Sequence, residues 1–395
     1  MGDDRLTLTS LEPRLIGRVF GRYSNAPVKR PARVMPFLFI AAASLGVLSL
    51  VAIAEKVMTV HGAHSALAVL INPPKSIKHV QMPLSQDPVA IIFILAALLT
   101  PIFCAHQVNA IQGVVQMNED NYLVRPASLR SAEDVKVSAL NKRVEKSNEA
   151  FRRVGSRVIS VLILGLSALI SYLIYALLLS KGLLGSWNAT AVSGDRWENK
   201  VYNGWWANYQ HNPELAIALV AFGAYLFYFL IKQLAMGGIF ARYARHATDQ
   251  GFGIVPNMEY NSDGYWGLRR LRLFMQWTFV STITHFIATL AVFIVWLRFS
   301  ELTVGLAVIV MIANTITVFQ PSLLAYNSIL ESKLSYVKKI NYQDDLSPEQ
   351  KEKYYERIWG TSNLPFRSRS TATAVTVYFL LPLGLAFVSA LVLRK

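Results

Sequence analysis

Hydrophobic positions in this chain come in long blocks. Seven runs, at 35–54, 88–107, 155–180, 215–238, 272–297, 302–324 and 371–393, have the length of a membrane span. About 30 Å of hydrocarbon takes roughly 20 apolar residues as helix. The pattern predicts an all-α, polytopic membrane protein of about seven transmembrane helices. It divides the chain into a basic segment over 1–34 and six helices over 35–324, with a helical loop at 108–157. A helical segment over 325–370 and a final span within 371–395 follow. The short apolar run from Ala66 to Ile71 is too brief to add an eighth span. The first run follows 34 polar residues with no small-residue cleavage site, so it is expected to stay in the chain as a span.

Charge orients the spans. Lys and Arg number seven in 1–34, nine in 108–157, five in 239–272 and eight in 325–370. The intervening loops 55–87 and 181–213 carry three each, and the turn 298–301 carries one. By the positive-inside rule the N-terminus is expected in the cytoplasm and the C-terminus outside, in a plasma or inner membrane. The net charge of +15 is then largely a report of topology. Trp277 and Trp296 bracket the fifth run as two interface belts would, and the Trp-rich stretch NGWWANYQ is expected along the outer interface.

Periodic stripes appear on either side of the apolar blocks. Ser131 and Asp134 resemble a capping box, followed by Val137, Leu140, Val144, Phe151, Val154 and Val158 at heptad-like steps. A second stripe runs through Leu323, Tyr326, Leu330, Leu334 and Val337. These predict long cytoplasmic helical extensions of spans three and six, packed within one chain or between protomers. A further helix is predicted from Ser347-Pro348-Glu349-Gln350, with a Ser cap, Pro at the first position and Gln at the third, ending at Gly360. Gly237-Gly238 reads as the end or hinge of span four, and Lys232 as a residue that snorkels to the interface.

The chemistry that is missing narrows the function. No Asp or Glu falls inside the seven runs, which argues against cation-coupled transport and intramembrane aspartyl chemistry. No HExxH, GxSxG, Walker A or GxGxxG sequence occurs. The single Cys104 excludes an internal disulfide. His61 and His64 are near neighbours without further ligands, so neither a metal site nor a cofactor is expected.

One polar face remains. Thr278, Thr282, His285 and Thr289 follow steps of four, three and four, with Ser281 at the border. The short turn after the fifth run makes spans five and six an antiparallel hairpin. Equal depth then sets His285 opposite Asn314 and Thr282 opposite Thr317, with Thr278 near Gln320. Two readings follow: interhelical glue, or a water-accessible polar seam with His285 as filter or gate. The first functional expectation is a homo-oligomeric pore in the lipid bilayer. Its basic cytoplasmic helices would be open to an anionic ligand such as a nucleotide, an oligonucleotide or lipid headgroups. Lys142 belongs to that basic region and receives no individual role. The alternatives are a non-catalytic component or scaffold of a larger complex, and a transporter. An enzyme is not expected.

Overall fold

The computed structural model describes residues 34–59, 81–115, 124–126, 146–147, 149–150, 153–179, 202, 204–249, 252–254, 269–292, 296, 326, 330, 333–334, 336–338 and 340–360. Five helices among them are long and apolar enough to cross a membrane. They are α1 (Met35–Ala54), α2 (Pro88–Val115), α3 (Arg157–Leu173), α4 (Pro213–Asp249) and α5 (Arg269–Ala291). This agrees with a multi-pass membrane protein. The sixth and seventh predicted spans, 302–324 and 371–393, lie outside the described residues, as does the stripe from Val137 to Val144.

Helix α3 turns an apolar face outward, as a lipid-facing helix does. Val158, Val161, Leu162, Leu166 and Leu169 of α3 are exposed, whereas Ser167 and Ser171 on the same helix are buried. Lipid is as apolar as Leu, so the outward face gains nothing by hiding. The inward face is where polar and small groups find partners. Ser171 donates to the carbonyl of Val220 on α4 at 2.8 Å. Gly223 sits directly opposite, and a Cβ there would overlap the Ser171 hydroxyl. The α3–α4 contact is thus a small-residue crossing. By contrast, Gly46 of α1 has open space around it.

Helix α4 is longer than its span. It runs through Gly237-Gly238 to Asp249, so the glycine pair neither ends nor interrupts it. Its 37 residues reach about 55 Å at 1.5 Å per residue. Helix α2 also continues, past Pro101, to Val115. Beyond these ends the chain forms a small antiparallel ribbon, β1 (Val124–Pro126) with β2 (Phe252–Ile254). The predicted short helix is present as α6 (Pro348–Gly360). Its cap is reciprocal: Gln350 N donates to Ser347 Oγ at 3.3 Å, and Ser347 N to Gln350 Oε1 at 3.0 Å. Tyr355 of α6 donates to Asn341, which ties the helix to the chain before it.

The opposite end of the bundle is organised by one carboxylate. Asp87 directly precedes α2 and is fully buried. Its Oδ2 accepts the indole N–H of Trp205 at 2.9 Å and of Trp206 at 3.0 Å. Trp296, beyond α5, donates to Oδ1 at 3.1 Å and Oδ2 at 3.2 Å, and Ala90 N donates to Oδ1 at 3.2 Å. Burial pushes the carboxyl pKa above its ordinary value, and the indole donors pull it back. Every partner is a donor, which suits the anion and leaves an acid proton without an acceptor. Met82 adds a backbone bridge, receiving Trp206 N at 3.0 Å and donating to Gly204 O at 2.8 Å. The NGWWANYQ stretch turns its Trp205 and Trp206 rings inward, where the buried carboxylate takes their N–H groups. Trp296 is likewise buried and is not an exposed belt residue.

Asp87→Asn tests this lock. The amide keeps the shape but points an NH2 at indole N–H groups, so a destabilisation of about 1–3 kcal/mol is expected. Unfolding of the purified protein followed by tryptophan fluorescence checks it; an unchanged midpoint would show that the cluster does not need the charge.

Candidate functional site

The polar face of α5 meets α2 and α4, not bare lipid. Thr278, Ser281, Thr282 and His285 are all buried, as the sequence periodicity requires. Among the described elements, α5 packs most extensively against α2. His285 Nε2 lies 2.7 Å from Thr100 Oγ1. Seven residues along, Gln107 Nε2 donates to Thr278 Oγ1 at 2.7 Å. The separation is the same on both helices, two turns each, so one antiparallel register satisfies both pairs.

Helix α4 closes the group. Gln233 Nε2 donates to Gln107 Oε1 at 2.7 Å and to Ser281 Oγ at 2.8 Å. Ser281 returns its proton to Gln233 Oε1 at 3.0 Å. Thr278 passes its own proton to the Phe274 carbonyl at 2.8 Å. The bonds have one direction: Gln233 to Gln107 to Thr278 to a helix carbonyl. Turning Gln107 over would set donor against donor, and turning Gln233 over would set acceptor against acceptor, so the network also fixes the amide orientations. Gln107 and Gln233 are themselves buried.

The tautomer of His285 follows in the same way. Thr100 has one proton and gives it to the Ala96 carbonyl at 2.6 Å. Its oxygen must therefore accept from Nε2–H of His285. That places the proton on Nε2 and leaves Nδ1 as an acceptor. Thr289 donates to the His285 carbonyl at 2.7 Å. Asn314, Thr317 and Gln320 lie outside the described residues. The partner found for the ring is Thr100, on a helix far away in sequence.

Two further groups lie toward the opposite end of α5 from Trp296. His106 stacks on Trp277, ring centroids 4.1 Å apart. Lys232 is buried at 1% exposure, where the sequence suggested a snorkelling side chain. It donates to the Val154 carbonyl at 3.1 Å and to Ser160 Oγ at 2.8 Å, and lies 5.2 Å from the Tyr228 ring centroid. A carbonyl, a hydroxyl and an aromatic face take the place of water there. The chain just before α3 is thereby tied to α4.

The sequence identified the α5 face but not Thr100, Gln107, Gln233 or Asp87. The two glutamines were visible as amides in apolar runs, a signal as strong as that of His285. Among the described residues no group of three or more His, Cys, Asp or Glu could hold a metal ion. Compared with known proteins, the chain matches no family model, no curated relative and no solved structure.

Gln107→Leu and Gln233→Leu each strand the other's amide. Each is expected to cost about 1–3 kcal/mol. The double variant should fall short of the summed cost by at least about 0.5 kcal/mol, since the two residues share a bond. Thermal unfolding in detergent measures this; additive costs would mean that the contact carries no coupling.

Proposed function

We propose that the protein is a non-catalytic membrane component of a larger assembly, in which the polar seam is structural. The observation that carries this reading is the directed hydrogen-bond chain from Gln233 through Gln107 and Thr278, with its amides turned toward one another. A conduction path needs polar groups that face water and exchange partners with it. Here the amides are spent on neighbouring helices. The long α4 and the continuation of α2 carry the bundle beyond the membrane, toward loops rich in Lys and Arg. In this proposal those loops are the docking surface for an anionic partner. Seven spans with a cytoplasmic N-terminus complete it, on the strength of the charge alternation.

The pore reading remains the rival, with spans five and six from several copies around an axis. It would need the seam to open. Planar-bilayer recording of the reconstituted protein separates the two. The scaffold reading expects no conductance above that of empty bilayers at either pH 5 or pH 8, the range over which a water-exposed His titrates. A conductance that His285→Leu alters would overturn it in favour of a pore.

Topology is checked separately. A reporter active only in the cytoplasm should work after Asn118 and after Asn341 and fail at Lys395. Activity at Lys395 would remove one of the seven spans.

A further inference from the structure

A cavity of about 260 Å³ opens between α2, α3, α4 and α5, in the half of the bundle nearer Asp87. Phe93, Ile174, Leu219, Phe227 and Val292 are among the apolar residues of its wall. Cavities of about 150 Å³ with walls of this kind stay dry and take up apolar molecules. The polar groups on the wall are five: Ser171, Tyr175, His285, Thr289 and Trp296.

Each of the five has already committed its hydrogen. Ser171 donates to the Val220 carbonyl at 2.8 Å, Thr289 to the His285 carbonyl at 2.7 Å and Tyr175 to the Ala207 carbonyl at 2.6 Å. Trp296 donates to Asp87 at 3.1 Å, and His285 Nε2–H is taken by Thr100 at 2.7 Å. What the wall can still offer is lone pairs. His285, a lining residue only 4% exposed, keeps the strongest of them at its unprotonated ring nitrogen Nδ1. Among the described residues nothing donates to it. The other tautomer would not relieve it, since Nδ1–H would then lack an acceptor. A buried ring nitrogen without a partner needs an explanation, and a ligand supplies one.

We propose that this cavity binds an uncharged apolar molecule bearing a hydroxyl, whose O–H donates to His285 Nδ1. The apolar wall takes the body of the molecule. The acceptor-only set of polar groups selects a donor and discriminates against an ether or ester oxygen of similar shape. Charged headgroups are excluded, because no free cation or anion faces the cavity among its lining residues.

The test uses the full chain in nanodiscs. Decanol, its isomer methyl nonyl ether and decane are equilibrated with it, and the ligand retained beyond that of empty nanodiscs is measured by mass spectrometry. One neutral hydrogen bond predicts roughly fivefold tighter retention of decanol than of the ether. His285→Leu should erase that preference. Ala288→Phe leaves the ring in place but fills the cavity, and should reduce retention of all three probes. Equal retention of alcohol and ether by the native chain would overturn the proposal. So would a preference that survives His285→Leu. Should His285→Leu fail to assemble, native-like decanol retention by Ala288→Phe decides against the site. Organic extraction of the native protein then distinguishes the sources. A neutral lipid alcohol that is missing from the Ala288→Phe extract assigns a membrane lipid; without one, retained decanol assigns a small partitioning alcohol.

Discussion

A hydrogen-bonding group inside a bilayer has no water to fall back on, and the architecture of this protein follows from that constraint. Gln107, Gln233, Thr278 and Ser281 are buried within apolar helices, so each must find its partner on another helix. The partners they find bind α2, α4 and α5 together, although α2 lies far from the other two in sequence. Asp87 applies the same rule to a charge. Its carboxylate gathers indoles from the Trp205-Trp206 stretch before α4 and from Trp296 beyond α5, and so closes one end of the bundle. Apolar contacts alone would not choose these neighbours, because lipid competes with them on equal terms.

This constraint also shapes the functional reading. A network that hands its protons from residue to residue and ends on a helix carbonyl is complete without water. In the proposed scaffold reading it holds the helices together and leaves its amides to one another. The cavity beside it differs in kind. Its wall is mostly apolar, its hydroxyls have turned their protons away, and among the described residues nothing donates to His285 Nδ1. One face of α5 thus serves two purposes at neighbouring depths: closure around Thr278 and Ser281, and an acceptor surface from His285 to Thr289.

Local features were legible in the sequence. The capping box at Ser347 and Gln350 depends only on residues three apart, and it formed as read. The periodicity of the α5 face was equally local, and its residues are buried together. Features that join distant helices were not legible. Span five could be paired by arithmetic only with its hairpin neighbour, since no other loop was short enough to fix a register. Thr100 therefore went unseen as the partner of His285. The inward turn of the Trp-rich stretch went unseen for a related reason. Indoles favour interfaces in general, but a carboxylate positioned by a different part of the chain drew these inward. Glycines at 237 and 238 suggested a break, yet a helix tolerates Gly at a cost of about 1 kcal/mol each, and α4 continues through both.

The central claim is that the seam around Ser281 is closed to water. Accessibility of that position is the most direct measure. In a Cys104→Ala background, cysteine is placed at Ser281 and, as an exposed reference, at Glu356. Both variants are treated with a charged thiol reagent in open membrane fragments. The account predicts that the thiol at 281 stays unmodified while that at 356 reacts promptly. Modification of 281 at a rate close to that of 356 would mean that water reaches the seam, and the closed-network account would fail.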